Sequence, residues 1–164
     1  MNTGARRITI STCGLVPQIL RLAEEGLQIE LAVSFHGPKD DLRTKLMPVN
    51  KVYPIAELLK ACSVYTDKTG RIVTFEYTLI SGVNDSLSVA TSLAAKLKLV
   101  EKARVNLIPL SPVTEFDGIP PTSSEVLAFA EKLRGHGINV TVRRSKGSNI
   151  SAACGQLRIH RTRR

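Results

Sequence analysis

The sequence predicts an α/β fold of parallel strands joined by crossover helices, and three observations carry that reading. Short β-branched runs alternate with longer helix-period segments over most of the chain. The 164 residues are 43% apolar, enough to bury one sizeable core. No internal repeat or low-complexity linker divides them, so the whole chain, 1–164, reads as one domain. Strictly alternating strands and helices favour right-handed βαβ crossovers.

The elements follow in order. "RRITIS" (6–11) reads as the first strand, and "LVPQILRLAEEG" (15–26) as a helix with Gly26 as its stop. "QIELAVSF" (28–35) is the second strand. "PIAELLKACSVYTDKTG" (54–70) opens on a proline and carries Ile55, Leu58, Leu59 and Cys62 on one face. "RIVTFEYTLI" (71–80) is the third strand, and "GVND" follows as a turn whose Asp85 can cap a helix over 86–99. "ARVNLIPL" (103–110) is the fourth strand. After a proline-rich loop, "TSSE" (122–125) has the spacing of a capping box. The helix it opens ends near Gly135 or Gly137, and "INVTVRR" (138–144) is the fifth strand. A closed barrel of eight such units takes about 250 residues, so five strands resemble a section of a larger α/β array.

Composition narrows the function. Lys and Arg outnumber Asp and Glu by 23 to 14, a net charge of +9. The excess gathers in "VRRSKG" (142–147) and "RIHRTRR" (158–164), where Arg143, Arg144, Lys146, Arg158, Arg161, Arg163 and Arg164 would either attract a phosphate backbone or form a solvated tail that keeps the protein soluble. Aromatic residues are only 4%, with no Trp, which disfavours base stacking on an aromatic sheet. No run approaches the ~18 apolar residues of a membrane span. The N-terminal stretch lacks the apolar region of a signal peptide. Three cysteines, at 13, 62 and 154, form no even framework, and a reducing cytoplasm is the expected compartment.

Binding groups in parallel α/β folds gather where strands hand over to loops. The first strand ends in Ser11-Thr12-Cys13-Gly14 and the second in Ser34-Phe35-His36-Gly37. The third holds Glu76 among apolar neighbours, and the fourth carries Asn106. Parallel, adjacent strands would bring Ser11, Ser34, His36 and Asn106 to one rim. Singly, each has a plainer reading as a cap, a loop anchor or a satisfied buried amide. No phosphate loop, G-x-G-x-x-G, nucleophile elbow or metal-ligand spacing is present. Cys62 reads as packing, and Cys13 could line the rim. Cys154, in "AACGQ", is either a small buried residue or a thiolate favoured by Arg143, Arg144 and Lys146.

Five segments, in order, carry a wider resemblance: "RRITISTCGLVP", "LAVSFHGPKDDLRTKLMPVNKVYPI", "EYTLISGVND", "VNLIPLSP" and "GSNISAACGQL". Together they resemble the C-terminal part of the RlmN/Cfr family of radical S-adenosylmethionine (SAM) RNA methyltransferases. The resemblance implies the later strands of a partial (β/α)6 barrel. It also implies an activity: methylation of adenine at carbon 2 in 23S ribosomal RNA and, in the RlmN branch, in some transfer RNAs. A [4Fe-4S] cluster in the family cleaves SAM to a 5′-deoxyadenosyl radical, while a second SAM first methylates a cysteine near the C-terminus. By the resemblance, Cys154 is that methyl carrier, and Ser11, Ser34, Phe35, His36 and Asn106 are SAM contacts. The RlmN branch is expected as the commoner housekeeping form.

This sequence also departs from the family pattern. Its three cysteines cannot form the C-x3-C-x2-C that holds the cluster. A second catalytic cysteine, a Gly-Glu segment that contacts SAM and an N-terminal RNA-binding domain have no counterpart. The expectation is therefore a fragment or truncated product that cannot generate the radical alone. The rival expectation is a non-catalytic RNA-binding remnant.

Overall fold

The computed structural model describes residues 4–111 and 116–143. Its strands are β1 (Thr9–Thr12), β2 (Glu30–Ser34), β3 (Val73–Leu79), β4 (Ala103–Pro109) and β5 (Asn139–Val142). Its α-helices are α1 (Val16–Glu24), α2 (Asp40–Leu46), α3 (Ile55–Thr69), α4 (Leu87–Leu97) and α5 (Ser123–Gly135). All neighbouring strands pair in parallel, and their spatial order is the chain order, β1 to β5. That order never reverses, unlike a doubly wound sheet. Right-handed crossovers then bring successive helices to one face, as in a barrel wall.

The two faces of the sheet differ sharply. Leu31, Val33 and Phe35 of the β2 segment join Val73, Phe75, Tyr77 and Leu79 of β3 in one core cluster with Leu58, Leu93 and Phe129 of the helices. Val33, Phe75 and Leu93 are each 0% exposed. Fully burying such a side chain contributes roughly 1.5–3 kcal/mol, so this face supplies most of the stability. The opposite face, reached by every second residue, carries Ser11, Glu30, Ser34, Thr74, Glu76, Thr78, Arg104 and Asn106. At the β1 edge the cover thins: Ile10, on the helix side, is 39% exposed.

Local chemistry sets the boundaries. Thr122 and Glu125 form the expected capping box at α5. Gly70, with φ +66, ends α3 in the left-handed conformation that glycine tolerates best. Three expectations are corrected. Residues Ala5–Arg7 form a 3-10 turn instead of opening the first strand. Ser86, not Asp85, caps α4 by accepting from the Val89 N–H, while the Asp85 carboxylate accepts from the Gly82 N–H inside the preceding turn. Between β2 and α3 stand two elements the periodicity does not predict, α2 and a 3-10 turn over Pro48–Lys51. α2 lacks an apolar stripe; Asp40 and Asp41 favour its first turn through the helix dipole, and Arg43 is its one buried residue.

Candidate functional site at the strand ends

Register brings the polar residues into rows. Ser34 on β2 aligns with Glu76 on β3, Glu76 with Asn106 on β4, and Asn106 with Thr141 on β5. Ser11 lies one row earlier on the same face, opposite Ala32. Ser34 and Asn106 are half-buried, whereas Ser11 is exposed. The hydroxyls of Ser11 and Ser34 make no hydrogen bond among the described residues, so both remain available to a ligand. The side-chain nitrogen of Asn106 donates to both oxygens of Glu76, at 3.2 and 3.1 Å. This leaves the Asn106 Oδ1 as the acceptor turned away from Glu76.

His36 stands just past β2 with φ +57, an uncommon conformation for any residue but glycine. Its Nδ1 accepts from the Thr78 N–H at 3.0 Å, which makes Nε2 the protonated nitrogen of the neutral ring. Burial first, and then the charge of Arg43, lower its pKa from 6.5 to about 4. Asn84, fully buried, holds the loop: its Nδ2 donates to the His36 and Thr78 carbonyls at 2.9 and 2.8 Å, and its Oδ1 accepts from Ile80 at 2.7 Å. His36 is thus held as a neutral hydrogen-bond donor at the rim.

Phe35 differs from the other expected contacts. Its ring is 0% exposed on the helix side, edge-on to Phe75 at 5.4 Å. Strand alternation turns that side chain away from the polar face on which Ser34 lies. Its backbone is engaged as well, the N–H donating to Glu76 and the carbonyl accepting from Gly37. The Phe35 side chain therefore cannot reach a ligand on the polar face, and what it gives the site is an anchored strand end.

Arg43 and Asn84 were not legible as site residues in the sequence. Both lie in segments that carry the resemblance, Arg43 in the stretch after the second strand and Asn84 in the "GVND" turn, but nothing in residue type or spacing marks either as part of the site. Arg43 is wholly buried: it donates to the Cys13 carbonyl at 2.9 Å, the Ser34 carbonyl at 3.2 Å and the Asn50 Oδ1 at 2.8 Å. At the other end of the polar face, Glu30 pairs with Arg71 and Arg104 at 3.3 and 2.9 Å.

Cys62 is sealed in the core, where burial pushes its thiol up to about 12, as the packing reading expected. Cys13 is half-buried at the rim. Arg143 is exposed just past β5, beside an open groove of about 430 Å³ lined by Pro109, Leu110, Val126 and Leu127. Cys154, Arg144, Lys146, Arg158, Arg161, Arg163 and Arg164 lie outside the described residues.

No family model matches the chain. Individual proteins do. A probable dual-specificity RNA methyltransferase RlmN from Natranaerobius thermophilus is 52% identical over 159 residues, 96% of this chain and 45% of that protein. Its counterpart from Geobacillus kaustophilus is also 52% identical, over 96% of this chain and 43% of its own length. The crystal structure of a radical SAM methyltransferase from Sphaerobacter thermophilus superposes with a TM-score of 0.90 at 54% identity, covering 95% of this chain and 46% of that one. Over nearly its whole length, then, the chain is similar to the C-terminal portion of RlmN RNA methyltransferases.

It spans about half the length of these family relatives. A domain of pyruvate-formate lyase-activating enzyme from Bacteroides vulgatus shares the fold, with a TM-score of 0.59 at 14% identity. Among the described residues, Ser34, His36 and Asn106 stand at the strand ends on the polar side of the sheet. No group of three His, Cys, Asp or Glu among the described residues could hold a metal ion.

Proposed function

We propose that this chain is the SAM-binding and methyl-carrying portion of an RNA methyltransferase that modifies carbon 2 of adenine in 23S ribosomal RNA and in some transfer RNAs, in the cytoplasm. The observation that carries the reading is the family match over 96% of the chain, together with a polar sheet face ending in that rim. Its groups fit the adenosyl part of SAM: the hydroxyls of Ser11 and Ser34, unbonded among the described residues, a neutral imidazole N–H on His36 and an amide oxygen on Asn106. Each can hydrogen-bond a ribose hydroxyl or a ring nitrogen without bringing a charge. When bound, SAM supplies the methyl group. The protein's part is to orient it and to keep the rim's donors and acceptors in place. Cys154 is assigned the methyl-carrier role, because a thiolate accepts a methyl by displacement where an electron-poor ring carbon cannot.

The described residues do not fit an iron–sulfur cluster. Cys62 is sealed and Cys13 stands alone at the rim, so the described residues provide no set of thiolates to hold a cluster. The basic segments 142–147 and 158–164 serve to hold RNA phosphates, positioning the substrate without reading its sequence.

The test uses a bacterial strain lacking its own adenine C2 methylation. It is supplied with the coding region in its genomic context, and its RNA is digested and measured for 2-methyladenosine by mass spectrometry. Appearance of the nucleoside with the natural sequence, and its loss with Cys154→Ala, supports the reading. Methylation that survives Cys154→Ala removes the carrier role. No methylation in either case, with salt-sensitive RNA binding retained, leaves an RNA-binding remnant.

A further inference from the structure

We propose that Arg43 is a positioning residue: its buried guanidinium clamps the ends of β1 and β2 together, and so sets the SAM-binding rim. The proposal rests on the reading of that rim as a SAM site. Arginine is rarely fully buried without an anionic partner, yet Arg43 is 0% exposed and no carboxylate pairs with it among the described residues. Burying an unpaired charge is costly, and an apolar side chain of similar volume would suit a purely structural site better. The guanidinium does what no apolar group can, directing a planar fork of donors at several acceptors at once.

Those acceptors lie on three segments. Nη2 reaches the Cys13 carbonyl just past β1 and the Ser34 carbonyl at the end of β2, while Nη1 reaches Asn50 in the 3-10 turn. Asn50 is itself held, its Nδ2 donating to the Asp40 carboxylate at 2.9 Å and to Thr44 at 2.9 Å. The Asp40 carboxylate also accepts from the Ile55 N–H at the start of α3. The guanidinium carbon lies over the Phe35 ring, 5.9 Å from its centroid. Gly14 completes the fit: a Cβ there would lie 2.9 Å from Nη2. Ser11 precedes one clamped carbonyl by two residues, and His36 follows the other by two. Their separation is therefore governed by a residue that need not touch SAM.

The test compares the intact chain with Arg43→Met and Arg43→Lys, by thermal melting, equilibrium dialysis against labelled SAM and amide hydrogen exchange. Arg43→Met is expected to melt within a few degrees of the parent, yet to bind SAM at least tenfold more weakly. Exchange at the Gly14 and Phe35 amides is expected to speed at least tenfold, with Phe75 and Val105 unchanged. Arg43→Lys keeps the charge but not the fork, and is expected to show the same faster exchange should the Met variant fail to fold. A folded variant with unchanged SAM affinity overturns the clamp. If the parent itself retains no SAM, the functional reading fails, and the exchange data alone decide: unchanged protection at Gly14 and Phe35 overturns the clamp as well.

Discussion

The side-chain nitrogen of Asn106 sits between the two carboxylate oxygens of Glu76, at 3.2 and 3.1 Å, on the polar face of the sheet. The bond orients the amide and leaves its oxygen for a ligand. Asn106→Asp removes the donor and sets two carboxylates against each other, and like charges at this range disfavour ionisation of both. The variant is expected to lose about 1–3 kcal/mol relative to the parent at pH 7, and much less at pH 4, where one carboxyl takes a proton. Melting both proteins at the two pH values checks it. An equal loss at both would mean that the amide–carboxylate contact does not form.

His36 should stay neutral well into the acid range. Its folded pKa is lowered from 6.5 to about 4, so between these values the unfolded chain binds the proton that the folded chain refuses. The contribution of His36 to stability is therefore complete above about pH 6.5 and is lost as the pH falls towards 4, by roughly 3 kcal/mol in all. Ring-proton NMR shifts of His36, followed from pH 7 to 3.5, give the midpoint directly. A midpoint near 6.5 would show that the ring is neither buried nor bonded to the Thr78 N–H.

Gly14 has φ +105 and lies against Arg43. Gly14→Ala adds strain in a region that L-residues rarely enter, and presses a methyl group onto the guanidinium. A loss of about 1–3 kcal/mol in chemical denaturation is expected. Gly26 also has positive φ, but open space surrounds it, so Gly26→Ala should show the conformational strain without the clash. Equal losses at the two sites would mean that contact with Arg43 contributes nothing.

Under the proposed function the C-terminal arginines hold RNA phosphates. Replacing Arg161, Arg163 and Arg164 with alanine should weaken RNA binding and flatten the plot of log affinity against log salt by about 2–3 in slope, near one unit for each arginine removed. Filter binding from low to moderate salt measures it. An unchanged slope would mean that these side chains are only solvated.

Much of the architecture follows from local signals. Alternating runs place five strands and the four longer helices, "TSSE" marks the α5 cap, and Gly70 the end of α3. The misplaced details are those in which neighbouring residues compete for one task. Asp85 and Ser86 can each cap a helix, and the geometry of the "GVND" turn engages Asp85, leaving the helix to Ser86. α2 escapes notice because seven residues without an apolar stripe give no period to read.

The sequence by itself determined which polar residues end the strands, and its motifs pointed to the family. Only the tertiary structure decided how they are used. Strand alternation put Ser34 on the polar face and Phe35 in the core, though the two are adjacent in the chain. Parallel register set Glu76 beside Asn106 across 30 residues of sequence. Packing turned Arg43, a surface residue by composition, into a buried fork beneath Cys13 and Ser34. The physical reason is common to all three. Hydrogen bonds between residues distant in the chain depend on register and burial, and neither exists until the sheet has formed.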